Sequence, residues 1–232
     1  MLRIKFSGGR QFCASKSPTS CSCKTLAPSV KNPKYILIPT LKPLSTKIFT
    51  DRLRKHYEDY FGISGKSRVL KAGPREKLHP DFYVLEFKPN KHHDFWTYCS
   101  VGMSLEQPDD TLIELFVFSP EQDEAQVELL TVCASYHRNA LPLDIHNTVN
   151  IGRPWLPNSK CDHGFISLPY LDGEELEIFT FNDQITHCYW LIPITERERD
   201  FKIDNGCEAL EQLFEDKQFD YLNPLRECLV TE

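Results

Sequence analysis

The sequence predicts a single α/β domain, and two features of residues 81–120 carry that expectation. The first is a cluster of three apolar runs, Phe82 to Phe87, Phe95 to Met103 and Thr111 to Phe118. Each is rich in the β-branched and aromatic residues that fit a pleated, half-buried surface. Pro89-Asn90 and Pro108-Asp109-Asp110 supply turn residues between the runs, so the stretch reads as a strand meander at the centre of one sheet. The second is the alternation of the third run. Leu112, Glu114, Phe116 and Phe118 fall on one face, Ile113, Leu115 and Val117 on the other, and only Glu114 is polar. A strand apolar on both faces is usually covered on both sides.

The totals agree. A chain of 232 residues, 41% apolar and 12% aromatic, can build one sizeable core. No apolar run reaches the roughly 18 residues of a spanning helix, so a soluble protein without membrane contact is expected. The nine cysteines, at 13, 21, 23, 99, 133, 161, 188, 207 and 228, are odd in number and irregular in spacing. Cys99, Cys133 and Cys188 lie inside apolar runs, where a free thiol behaves as a small hydrophobe. No apolar signal-peptide core opens the chain, and reduced thiols in a cytoplasmic protein are the expectation. The net charge of −6 divides into +13 over residues 1–91 and −19 over residues 92–232. An acidic body repels nucleic acid and attracts basic partners.

In chain order, residues 1–47 form a basic, low-order extension. No Asp or Glu precedes Asp51, nine Lys or Arg do, and no helical or alternating period persists. A disordered extension, a transit peptide, and a mis-assigned start or short extra element all fit this composition. Tyr35 to Pro39 reads as a short edge strand. The domain proper is expected over 48–232. A helix over 50–61 is predicted from Thr50 as N-cap, a stripe of Leu53, Tyr57, Tyr60 and Phe61, and Gly62 as terminator. His56 on this helix, and His92-His93 between the first two strands, are expected to be solvated. Val69-Leu70 is expected to begin a strand. Residues 121–137 predict a second helix with an acidic first turn of Glu121, Asp123 and Glu124. Within 92–137 there are nine carboxylates and no Lys or Arg; this is either a solvated acidic helix end with acidic loops or a docking face.

Residues 141–160 are expected to form a hairpin-like loop. In it Trp155, close to Pro154 and Pro157, is either a half-exposed contact residue or a lid over the core. Cys161-Asp162-His163 lacks the further spaced ligands that a zinc site needs. Strands are expected at 165–169, 176–181 and 185–194, with turns at 171–175 and 182–183. Thr195 and Glu198 have the spacing of a capping box for the next helix. A last helix is expected over 207–214, with Leu210, Leu213 and Phe214 facing inward.

Several of these stretches also resemble the suppressor of fused family. They are Phe95 to Ser104 followed by Glu114-Leu115 and Ser119-Pro120; Gly152-Arg153-Pro154-Trp155 with Ser159; and His187 to Thr195 followed by Glu196-Arg197-Glu198. The Phe61-Gly62 helix end and Leu222 to Arg226 resemble the family's opening helix and closing segment. The resemblance covers about residues 50–229 and does not include the first 47. It implies a mixed, largely antiparallel sheet flanked by helices on both faces. It also implies protein binding rather than catalysis.

Enzyme signatures are absent: the sequence contains no GxSxG, Walker loop, GxGxxG, HExxH or deaminase motif. Cys99 with His137 is a nominal nucleophile pair for a Cys-dependent enzyme, but Cys99 in a central strand is expected to be buried and inert. No cofactor and no metal are expected. The expected role is that of an immunity or antitoxin-type protein that blocks a basic partner, for which Asp109, Asp110, Asp123, Glu124 and Trp155 are the candidate contacts. The alternative is a scaffold that holds a peptide segment as an added strand, related to the eukaryotic suppressor of fused.

Overall fold

The computed structural model describes residues 46–70, 73–108, 112–223 and 225–231. The expectations for residues 1–45, including an edge strand at 35–39, lie outside these residues. Residues 46 and 47, assigned above to the extension, are the first of α1 (Thr46–Phe61).

The remaining elements in chain order are β1 (Lys66–Arg68), a 3-10 turn (Pro74–Lys77), β2 (Tyr83–Phe87), β3 (Trp96–Val101), β4 (Ile113–Ser119), α2 (Glu124–Asn139), β5 (Thr148–Asn150), β6 (Cys161–Ser167), α3 (Glu174–Glu177), β7 (Ile178–Phe181), β8 (Gln184–Thr195), α4 (Glu196–Asn205) and α5 (Cys207–Lys217). One sheet runs in the order β1-β2-β3-β4-β8-β6-β5, with β7 paired to β8 alone. Every pairing is antiparallel except β4 with β8, where Ile113 to Phe116 lie beside His187 to Trp190. The meander β2-β3-β4 is the one read from the apolar runs. The parallel join to β8 is a non-local pairing that no local pattern encodes.

β4 is buried throughout, and its alternation divides two cores. Ile113, Leu115 and Val117 pack with Val127, Leu130, Cys133 and Ala134 of α2. Phe116 and Phe118 pack with Leu53, Tyr57 and Phe61 of α1 and Leu210 and Phe214 of α5. Helices therefore cover both faces, as the two-sided strand required.

The differences from the expected elements have local reasons. α1 starts one turn early, so Thr50 lies inside it and bonds back to the Lys47 carbonyl at 3.0 Å. The added turn brings Phe49 against Phe179 and Phe181 at 5.5 and 5.9 Å between ring centroids. α2 begins after Asp123, whose carboxylate accepts from the Ala125 N–H, and it runs to Asn139. β1 ends before Val69, which is exposed. The acidic turn at 171–175 becomes a short helix, α3. Asn182 and Asp183 both have positive φ, 50° and 63°, as the two-residue loop between β7 and β8 demands.

Candidate functional site

The most deeply buried carboxylate of the meander is Glu114, 0% exposed on β4. Its carboxylate accepts five hydrogen bonds: from the Ser100 hydroxyl at 2.5 Å, the Ser104 hydroxyl at 2.8 Å, and the N–H groups of Gly102, Met103 and Ser104 at 3.0, 3.2 and 3.1 Å. The Ser100 oxygen accepts in turn from the Leu115 N–H at 2.9 Å, which fixes its hydroxyl as a donor to Glu114. The chain curls around this carboxylate because Gly102 turns at φ +93°, where a Cβ would meet a Leu105 methyl at 3.1 Å. Burial raises the Glu114 pKa above its usual value and outweighs the hydrogen bonds that pull it down. Glu114 thus builds the turn out of β3 and is sealed from solvent.

A second buried carboxylate, Glu198, joins the last two resembling stretches. Thr195 and Glu198 form the capping box of α4. The same Glu198 carboxylate receives a two-pronged ion pair from Arg226, at 2.7 and 2.8 Å, and the Leu229 N–H at 2.9 Å. Arg226 also donates to the Pro193 carbonyl at 2.9 Å. Burial would raise the Glu198 carboxyl, but the guanidinium and the backbone donors hold it below the usual range. This clamp fastens the closing segment to the end of β8.

Sequence reasoning missed a third polar group. His93, expected to be solvated, is buried; its Nε2 lies 2.9 Å from Asp172 Oδ1, and its Nδ1 lies 3.4 Å from the Thr97 hydroxyl. The Tyr60 hydroxyl donates to the same Asp172 oxygen at 2.8 Å. Acid, imidazole and hydroxyl in this order resemble a nucleophile relay. Yet Thr97 is 0% exposed, so no substrate reaches its hydroxyl. The group instead ties the β2–β3 and β6–α3 loops to α1. His56, also expected to be solvated, is half-buried: its Nε2 lies 3.0 Å from the Leu176 carbonyl, and burial lowers its pKa.

The nominal Cys99–His137 pair is not assembled. Cys99 packs in the α1 layer, whereas His137 lies on α2 across the sheet and accepts from the Leu143 N–H at 2.8 Å. Burial raises the Cys99, Cys133 and Cys188 thiols, Cys133 to about 12, which suppresses the reactive thiolate. Among the described residues no group of three His, Cys, Asp or Glu side chains could hold a metal ion, and no helix is long and apolar enough to cross a membrane.

Of the candidate contacts, Asp109 and Asp110 lie outside the described residues. Asp123 is half-buried and occupied as the α2 N-cap. Glu124 is exposed and faces Arg68 at 3.6 Å. Trp155 is not half exposed: it is 4% exposed and packs in the α2-side core, the lid position. Its ring meets the backbone of Gly164, where an added Cβ would lie 3.7 Å from it. The acidic run 92–137 is also less bare than it reads, because folding supplies cations from outside it. Arg138 pairs with Glu106 and Arg153 with Glu128, both at 3.0 Å, and Arg68 lies 3.6 Å from Glu124. Exposed carboxylates without a cationic partner among the described residues include Asp94 and Glu121 of this run, and also Glu208, Glu215 and Asp216 on the outer side of α5.

The family model described as Suppressor of fused protein (SUFU) matches residues 79–227. Among solved structures, a SUFU homologue from Neisseria gonorrhoeae FA 1090 superposes with a TM-score of 0.70 at 31% identity, covering 80% of this chain and 99% of that one. The chain of a Sufu–Fu complex superposes with a TM-score of 0.57 at 14% identity, covering 81% of this chain and 93% of that one; it shares the fold. No curated protein matches the sequence. The structure is thus an α/β domain of the kind seen in both solved relatives. The chain belongs to the suppressor of fused family.

Proposed function

We propose that this family member is a non-catalytic protein-binding domain that engages a basic partner through its acidic body, as an immunity-type protein does when it covers a cleft made for a phosphate-rich substrate. The observation that carries this reading is the distribution of charge. Residues 92–232 hold a net −19, and Glu208, Glu215 and Asp216 on α5 face solvent without cationic partners among the described residues. Such a surface steers and orients a positive partner. The non-catalytic part rests on the polar clusters: each polar group that resembles catalytic machinery is sealed and engaged in holding loops.

The test is to capture native partners, identify them, and measure each affinity in low and in high salt. Two charge sets are compared with the unaltered chain. One is Asp109→Lys, Asp110→Lys and Glu124→Lys with Asp123→Asn, which keeps an N-cap acceptor. The other is Glu208→Lys, Glu215→Lys and Asp216→Lys. The reading expects a basic partner whose binding weakens in high salt and falls at least about tenfold in one set. Affinity unchanged in both sets overturns it.

A second reading, a scaffold that holds a peptide, is favoured by the sheet ends. β1 and β5 are three-residue edge strands, each paired on one side only, and an added strand gains backbone hydrogen bonds there. It expects an isolated peptide to bind with little salt dependence.

A further inference from the structure

Among the described residues, the large hydrophobic side chains that stand exposed are aliphatic with one exception, Tyr170. At 59% it is also the most exposed of them, and its neighbour Leu171 is 50% exposed. Single aliphatic side chains on a surface are ordinary. An aromatic ring and a leucine turned outward side by side have the composition of a contact anchor.

The ring is bare but not loose. In the turn between β6 and α3, the Tyr170 N–H donates to the Leu168 carbonyl at 2.9 Å. The N–H groups of Asp172 and Gly173 both donate to the Pro169 carbonyl, at 2.9 and 2.7 Å. Asp172 is pinned beneath the turn by His93 and Tyr60. The far end of the ring is held as well. Burial of its hydroxyl, the Glu211 charge and a hydrogen bond to Glu211 raise the Tyr170 pKa to about 12. Glu211 also accepts from the Ser167 hydroxyl at 2.6 Å. A side chain with its polar end fixed and its face open loses little further freedom when it binds.

The surroundings of this tip are negative. Glu208 and Glu215 lie at i−3 and i+4 from Glu211, so they are its neighbours on the surface of α5. Glu174 and Glu175 follow Leu171 at the start of α3. All four are exposed, and none has a cationic partner among the described residues. The basic groups on this side are engaged with one another and with Glu211: Lys202 donates to the His146 carbonyl at 2.6 Å, and the His146 ring lies 3.8 Å from Glu211.

We propose, resting on the reading that the partner is basic, that the Tyr170-Leu171 tip anchors it by taking one of its arginine side chains, stacked on the Tyr170 ring beside Leu171 with the guanidinium toward Glu208 and Glu211. Charge complementarity selects this occupant. A cation is drawn both by the ring face and by the carboxylates around it. Arginine fits better than lysine because its planar group is weakly hydrated and stacks. A second copy would set like charges against each other in a two-fold contact.

The experiment titrates the full chain, with labelled tyrosine rings, against hexa-arginine and hexa-lysine peptides, and follows the rings by NMR. The expected result is a shift of the Tyr170 ring signals with hexa-arginine and at least about threefold weaker binding of hexa-lysine. Hexa-arginine affinity should fall about three- to fivefold in Tyr170→Ala and fall further when Glu208→Lys is added. It should hold in Tyr170→Phe, which keeps the ring face, and in Asp123→Asn. Hexa-arginine binding that leaves the Tyr170 ring unmoved and is indifferent to Tyr170→Ala overturns the anchor and leaves the basic-partner reading standing. Equal affinity for the two peptides overturns the stacking. Binding of neither peptide overturns the anchor together with that reading. A Tyr170 shift in the free chain on Arg3→Glu with Arg10→Glu overturns the proposal in favour of the chain's own N-terminal segment, and a shift that grows with protein concentration does so in favour of a second copy.

Discussion

Two buried carboxylates lie at opposite ends of the fold's logic. Glu114, in the central strand, has five neutral donors and no cation in its hydrogen-bond shell. Glu198, at the start of α4, has two backbone N–H groups and the Arg226 guanidinium. The first is a charge distributed over a turn, held by donors within sixteen residues of sequence. The second is a charge matched by one distant partner, which closes the chain onto itself. Local donors shape a loop, whereas a remote cation fastens a terminus. The difference also sets the direction of titration: burial prevails at Glu114, and the guanidinium prevails at Glu198.

The sharpest way to break the contrast is Arg226→Met. It leaves Glu198 buried and uncompensated, and urea denaturation should show a loss of about 3–5 kcal/mol. A loss below 1 kcal/mol, on the scale of an exposed pair, would place the clamp in solvent. Next is Glu114→Gln, which keeps the shape but substitutes an amide donor for one acceptor oxygen against five donors. The expected loss is about 1–3 kcal/mol, with hydrogen exchange accelerated at the amides of residues 102–104. Thr195→Ala, removing one half of the capping box, should cost about 1 kcal/mol.

The smallest effect is in pH dependence. Glu198 has a depressed folded-state pKa, so its contribution is present above its usual value of 4.5 and fades as pH falls below it. Glu114 has a raised value, so its contribution is greatest in acid and declines as pH climbs from 4.5 through the raised value. Glu198→Gln should therefore cost more near neutrality than in mild acid, and Glu114→Gln less. Slopes of the same sign in the two variants would erase the distinction.

Much of the architecture was legible in local pattern. The meander follows from three β-prone runs separated by turn residues. Burial of both faces of β4 follows from its alternation, and the α4 start follows from the Thr195–Glu198 spacing. The site was less legible. His93 reads as a loop histidine because its partner Asp172 is 79 residues away, and no spacing rule links them. Trp155 near two prolines reads either as a contact residue or as a lid, and only the β5–β6 connection, which folds it into the α2-side core, decides for the lid. The acidity of residues 92–137 is only partly offset, at Glu124, Glu106 and Glu128, by Arg68, Arg138 and Arg153 from outside the window.

The sequence by itself determined the central meander, most of the longer helices, the two-sided central strand, the capping box and the acidic body, because each is encoded within a few residues by periodicity, turn chemistry or composition. Only the tertiary structure decided the parallel joining of β4 to β8, the partners of the buried polar groups, and which carboxylates stay unpaired. These depend on residues far apart in the chain meeting in a packed interior, where the low dielectric makes every polar group find a partner.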